Sequence, residues 1–314
     1  MSACAAFLPD SVPPNHLPKK LTLTINCKGR LLDLSSPVVM GILNRTPDSF
    51  FDGGKYADAT AILTQAEKML REGASILDIG GASSRPGAAV VDETTELRRV
   101  VPTVELILKH FPATILSVDT YRIGVARAAL AAGASVWNDI SALAPPGTVE
   151  VFDFERDFPS DVPYILMHMQ GAPNTMQQNP AYSDVVQEVL DFFIEKIEHL
   201  RKIGINDIVL DPGFGFGKTV EHNYTLLRNL NTFKNVLELP VLAGVSRKSM
   251  ICKPLGIPPS AALNGTTALH VVALQQGASI LRAHDVREAM EVIALWKLLE
   301  GIPPDEMSQT ATLA

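Results

Sequence analysis

Carboxylates, amides and cations recur along this chain in one setting: the end of a short apolar run, just before a turn. Asn44 follows Val38-Val39-Met40-Gly41-Ile42-Leu43, Asp78 follows Ser75-Ile76-Leu77, Asp119 follows Thr114-Ile115-Leu116-Ser117-Val118, and Asn138 follows Ser135-Val136-Trp137. His168 follows Tyr164-Ile165-Leu166-Met167 and Asp211 follows Ile208-Val209-Leu210. Ser246-Arg247-Lys248-Ser249 comes after Val241-Leu242-Ala243, and Arg282 with His284 ends Ser279-Ile280-Leu281. One such residue is usually a helix cap. Eight in succession have to be satisfied by each other or by a ligand. Asn, Asp and Lys together offer donors and acceptors, which suits a flat polar heterocycle with hydrogen-bonding edges.

The elements that must hold these residues alternate along the chain. Ile208-Val209-Leu210 runs into Asp211-Pro212 and then Gly213-Phe214-Gly215-Phe216-Gly217-Lys218-Thr219, so a buried strand ends at Asp211 and the chain leaves the sheet at Pro212. Two phosphate motifs fail here. A P-loop would need Gly where Pro212 stands, and the dinucleotide pattern would need Gly at Lys218. Helical periodicity appears over Ile62 to Leu70, Leu97 to Leu108, Val186 to Leu200 and Val286 to Leu299, with Asp285 and Glu288 as an expected capping pair for the last. Gly-Ala pairs at 73–74, 133–134 and 277–278 mark helix ends followed at once by strands. Eight strands, each followed by a helix, predict an α/β fold of the (β/α)8 TIM-barrel type, whose ligands bind at the carboxyl ends of the strands. Thr22 to Ile25 and Arg30 to Leu34 predict a hairpin turning at Lys28-Gly29, a lid over one barrel end.

Composition narrows the function. With 314 residues, 46% hydrophobic and 19% charged, and no composition break, one large domain is expected over 21–303, flanked by loose tails at 1–20 and 304–314. A net charge of -7 argues against a nucleic-acid or anionic-membrane partner but leaves room for an anionic substrate at a local basic cluster. Cys4, Cys27 and Cys252 make neither a disulfide framework nor a metal spacing, which fits a reducing cytoplasm. No apolar run is long enough to span a bilayer, and the first residues make a poor signal peptide.

The loops carry a resemblance. Gly41-Ile42-Leu43-Asn44-Arg45-Thr46-Pro47-Asp48-Ser49-Phe50-Phe51-Asp52-Gly53-Gly54 and Asp78-Ile79-Gly80-Gly81-Ala82-Ser83-Ser84-Arg85-Pro86-Gly87-Ala88 resemble the two signatures of the dihydropteroate synthase family. Ser117-Val118-Asp119-Thr120, Asn138-Asp139-Ile140, Leu166-Met167-His168, the Asp211 to Lys218 turn, Ser246-Arg247-Lys248-Ser249 and Arg282-Ala283-His284-Asp285 follow in the family's order. The chain departs from the usual pattern at Arg45, Phe51, Ala82 and Ser84.

The resemblance implies condensation of 4-aminobenzoate with 6-hydroxymethyl-7,8-dihydropterin pyrophosphate, Mg2+ as cofactor and a homodimer. Asp211 and Lys248 would take one pterin edge, Asp119 and Asn138 the other, with Ile140 and Met167 on the ring faces. Asn44, Ser84, Arg282 and His284 would hold the diphosphate, with Asn44 on Mg2+. Phe50, Ser84, Arg85, Pro86, Phe216, Arg247 and Ser249 would surround the aminobenzoate, whose carboxylate suits the helix start at Lys248-Ser249. Asp119, Lys248 and Arg282 would carry the catalysis.

The bland readings are helix capping for Asp119 and Asp211, a turn residue for Asn138, core filling for Met167, a bystander imidazole for His284 beside a capping Asp285, and turn anchoring for Phe50 and Phe216; Lys218 is expected to be solvated and structural. His168 has no assigned role. A methyltransferase that moves a methyl group from methyltetrahydrofolate to a corrinoid protein could share Asp119, Asn138 and Asp211 but would not need Arg282 and His284. A paralogue without activity is the third reading.

Overall fold

The computed structural model describes residues 23–44, 55–82, 91–143, 161–171 and 175–302. An antiparallel hairpin comes first, β1 (Thr24–Cys27) and β2 (Arg30–Asp33), with Lys28 and Gly29 both at positive φ in its turn. Eight parallel strands follow: β3 (Val38–Asn44), β4 (Ile76–Gly80), β5 (Ile115–Asp119), β6 (Val136–Asp139), β7 (Tyr164–Met167), β8 (Ile208–Asp211), β9 (Leu242–Ala243) and β10 (Ile280–Ala283). The helices between and after them are α1 (Lys55–Arg71), α2 (Glu93–His110), α3 (Ile123–Ala131), α4 (Val185–Lys202), α5 (Val220–Arg228), α6 (Leu230–Leu237), α7 (Ser249–Leu255), α8 (Leu263–Gln275) and α9 (Val286–Leu299).

The sheet order is β8-β7-β6-β5-β4-β3-β10-β9, and a parallel bridge from Leu210 to Val241 joins its two ends. This is the (β/α)8 barrel expected from the alternation. The expected strand ends move by one or two residues, as when β4 runs on to Gly80. None of the helices among the described residues is long and apolar enough to cross a membrane.

Side chains alternate across each strand, and the two sets form two separate cores. Outward-facing residues such as Val39, Leu77, Leu116, Trp137 and Leu210 pack under the helices. Inward-facing Met40, Ile76, Val136, Ile165, Val209, Leu242 and Ile280 fill the lower barrel, together with Ile25, Cys27 and Leu34 from the hairpin region. The hairpin therefore closes the amino-terminal end of the barrel, and Asn26 N–H donates to the Asp207 carboxylate at 3.0 Å to fix it there.

Ile25 is 3% exposed in that plug. Ile25→Ala is expected to cost about 2–4 kcal/mol through lost burial and the cavity left behind. Urea unfolding reads this as a lower midpoint with an unchanged slope; a midpoint equal to the parent's would show that the plug carries no stability.

Candidate active site

Further along most of the strands the inward positions become polar. The stripe Met40, Ile42, Asn44 on β3 is matched by Ile76, Asp78, Gly80 on β4 and Ile115, Ser117, Asp119 on β5. The β6 stripe rises from Val136 to Asn138, that of β8 from Val209 to Asp211, and that of β10 from Ile280 to Arg282. The upper barrel is therefore lined by Asn44, Asp78, Asp119, Asn138, Asp211 and Arg282.

Arg282 sits between two carboxylates. Its Nε donates to Asp78 Oδ2 at 2.7 Å and its Nη2 to Asp119 Oδ2 at 2.6 Å. Asn138 Nδ2 donates to the same Asp78 oxygen at 3.0 Å. Asp78 is fully buried, and its other oxygen has no hydrogen-bond partner among the described residues. Burial alone would draw the Arg282 guanidinium down, but Asp78 and Asp119 outweigh it and hold the group above its ordinary value. Burial raises the Asp119 carboxyl, against the opposing pull of Arg282. Asp119 caps no helix, because α3 starts later, with Arg122 at its N-cap. Asn44 Oδ1 and Asp119 Oδ2 border the same point, 3.2 Å and 3.7 Å from where a Cβ on Gly80 would lie.

Asp211 and Lys248 form the second cluster. Asp211 Oδ1 accepts the Gly213 N–H at 2.8 Å, while α5 is capped by Thr219, so Asp211 is not a cap either. A Cβ on Gly244 would lie 3.5 Å from Lys248 Nζ and 3.8 Å from Asp211 Oδ2, so glycine there leaves the space between them open. Lys248 Nζ donates to Phe214 O at 2.6 Å and lies 4.8 Å from the centre of the Phe216 ring. Burial lowers the Lys248 amine to about 8, although Asp211 supports its charge. Burial raises the Asp211 carboxyl, opposed first by Lys248 and also by Arg282. The two clusters thus share one electrostatic site.

Ile140 and Met167 are 6% and 2% exposed but belong to neither hydrophobic core, and Met167 pairs in register with Asp211. Ile140 is set by the turn that follows β6, where Asp139 accepts from Ser141 N, Ser141 Oγ, Leu143 N and Tyr164 Oη.

Several residues have partners that the sequence does not reveal. His284 Nδ1 pairs with Ser246 Oγ at 3.0 Å. Arg247 grips Asp285 with Nε and Nη2, so its fork is already engaged. Asp285 makes no side-chain cap for α9, contrary to the capping pair expected with Glu288; the guanidinium, a full charge, takes its carboxylate. Lys218 is not solvated: it is 2% exposed, drawn in by backbone carbonyls. Ser249 opens α7 and is exposed. Phe50, Ser84, Arg85 and Pro86 lie outside the described residues, as do both tails. Asp78 ends an apolar run without an assigned role in the sequence; its place two residues above inward-facing Ile76 is the signal that puts it in the site.

The family model for pterin binding enzymes matches residues 40–284, which spans every element of this site. The chain belongs to the pterin-binding enzyme family. This pterin-binding enzyme is 47% identical over 268 residues to a dihydropteroate synthase of Escherichia coli, covering 85% of the chain and 93% of that relative. It is similar to a Xanthomonas albilineans dihydropteroate synthase structure holding 4-aminobenzoic acid, with a TM-score of 0.80 and 42% identity over 90% of this chain and 100% of the other. A structure from the same organism in complex with 7,8-dihydropteroate gives a TM-score of 0.76 and 40% identity, covering 89% and 100%. In this pterin-binding enzyme the matched span includes both the Asp211–Lys248 pair and the arginine held between two carboxylates.

Proposed function

We infer that the chain is a dihydropteroate synthase, a transferase that joins 4-aminobenzoate to (7,8-dihydropterin-6-yl)methyl diphosphate in folate biosynthesis. The observation that carries this reading is the pairing at one barrel mouth of an acidic clamp, Asp211 beside Lys248, with a cation, Arg282, for a diphosphate. A corrinoid methyltransferase would not need that cation.

The chemistry requires no protein nucleophile. The pterin amino group and adjacent ring N–H match the two acceptor oxygens of a carboxylate such as Asp211. Lys248 would donate to the neighbouring carbonyl, Asn138 would meet the far edge, and Ile140 and Met167 would face the ring. Arg282 and His284 would bind the diphosphate. The methylene C–O bond breaks, diphosphate leaves with the electron pair, and the aminobenzoate nitrogen supplies the pair for the new C–N bond before losing its proton. Departure of diphosphate first would leave a cation delocalised into the pterin, which the Asp119 carboxylate would stabilise. Positional isotope exchange within the diphosphate in the absence of aminobenzoate tests this order; no scrambling when ionisation is otherwise favoured would exclude it.

Asn44 is the residue that would hold Mg2+. Among the described residues no cluster of three His, Cys, Asp or Glu offers a protein cage. Mg2+ keeps several waters and takes few protein oxygens, so one amide oxygen beside Asp119 fits it. When bound, the ion would neutralise charge on the departing diphosphate. The aminobenzoate carboxylate is proposed to lie near Ser249, with the ring against Phe216. Exposed Leu295, Leu298 and Leu299 on α9 offer an apolar face for the proposed homodimer.

Release of diphosphate that depends on 4-aminobenzoate tests the function directly; a purified chain that releases none refutes it. The Lys248 amine adds a pH prediction, since it is charged below about 8. kcat/KM for the dihydropterin substrate is expected to fall about tenfold per unit above that pH, and to fall again in acid as the raised Asp119 carboxyl, at about 7, takes up its proton. Lys248→Arg should move the alkaline fall upward. A fall that stays at the same pH in that variant belongs to another group.

A further inference from the structure

Lys218 is buried against the site, yet none of the substrate contacts uses it. Its Nζ lies 3.1 Å from Gly213 O, 3.0 Å from Phe216 O, 3.3 Å from His168 O and 2.9 Å from His168 Nδ1. Burial, with Lys218 adding to it, holds the His168 imidazole neutral, its value lowered to about 3, so Nδ1 can accept. Burial lowers the Lys218 amine to about 7, against the pull of Asp211; in its protonated form three N–H groups face four acceptors.

The acceptors belong to two chain segments: the end of β7 and the turn after β8. That turn is built around Lys218. Phe216 N–H returns to Gly213 O at 3.1 Å, closing it. Gly213 and Gly217 have positive φ, and a Cβ on either would lie 1.9 Å from His168 O or 2.3 Å from Gln170 O. At these two glycines the turn packs closely against the backbone that ends β7. From its opposite side it presents Gly213 N–H to Asp211, and Phe214 O and the Phe216 ring to Lys248.

We propose that Lys218 is a positioning residue for the condensation: its ammonium gathers the carbonyls of Gly213, Phe216 and His168, and so sets the turn that orients Asp211 and Lys248. The proposal rests on the reading of Asp211 and Lys248 as the pterin clamp. Lys218 itself touches no substrate. Its loss lets the turn relax while leaving the clamp residues in place chemically. Misplacement of the clamp weakens pterin binding first, because both clamp residues hold the pterin edge.

Lys218→Met keeps the length of the chain without the donors, and Lys218→Gln keeps two of them. Both are purified, checked by thermal melting, and assayed for diphosphate release. Binding of 6-hydroxymethylpterin is followed by its fluorescence. The Met variant is expected to raise KM for the dihydropterin diphosphate about tenfold or more, with a parallel rise in the pterin Kd. kcat should fall less than KM rises, and Gln should lie between Met and the parent. A folded Met variant with KM and pterin Kd within twofold of the parent overturns the proposal. So does loss of folding in both variants, which would make Lys218 a requirement of the fold alone. If the parent itself neither binds the pterin nor releases diphosphate, the reading of the function fails instead.

Discussion

Asp211→Asn is expected to lower kcat/KM by about 10²–10⁴ while leaving the fold at least as stable. A carboxylate accepts from two adjacent N–H groups of the pterin, and charge-assisted bonds are worth about 1.5–3 kcal/mol each. An amide can accept at one oxygen only, and its NH2 group would face a donor. The stability arm follows from burial, which raises the Asp211 carboxyl despite Lys248 nearby. A carboxyl raised in the folded state holds its proton more tightly than in the unfolded chain. Stability therefore declines as pH rises from the unfolded value through the folded one, and above that window the ionised group costs stability. Asparagine removes that step. Activity lost together with unchanged or improved melting is the pattern of a group kept for function. Calorimetry on the pterin would decide it: binding by Asp211→Asn within threefold of the parent removes Asp211 from the clamp.

Arg282→Met should lose a comparable amount of activity, and here the fold should suffer as well. Among the described residues Arg282 alone bridges Asp78 and Asp119, whose side chains are 0% and 15% exposed. Without the guanidinium, two inward carboxylates face each other and, among the described residues, only Asn138 donates to one of them. Breaking a buried pair in this way costs about 3–5 kcal/mol. The loss should be largest near neutral pH and shrink in acid, where the carboxylates take up protons. Arg282→Lys keeps the charge but cannot reach both carboxylates with a rigid fork, so it should fall between. Adding Asp78→Asn to Arg282→Met should restore part of the stability and none of the diphosphate binding. Equal losses in the single and double variants would show that Asp78 and Arg282 do not act as a pair.

The barrel itself was legible because its signals are local. Short apolar runs end in polar residues, Gly-Ala pairs mark helix ends, and Lys28-Gly29 fits a tight hairpin turn at positive φ. The site strands were legible for the same reason, since alternation places Asp119 above Ile115 and Arg282 above Ile280 on the inner face. Asp211 stood out because a strand, a carboxylate, a proline and three glycines lie in one continuous stretch.

Residue types and their period along the chain determined the strands, the inward stripe and the mixture of charges at its upper end. Tertiary structure decided who pairs with whom. Arg282 meets Asp78 across 204 residues and Asp119 across 163, a choice fixed by the stagger of a closed sheet that no local pattern encodes. Arg247 takes Asp285 away from α9, and Lys218 turns inward because a folded turn offers its ammonium carbonyls in place of water. Burial and pairing of charges depend on which surfaces meet after the barrel closes.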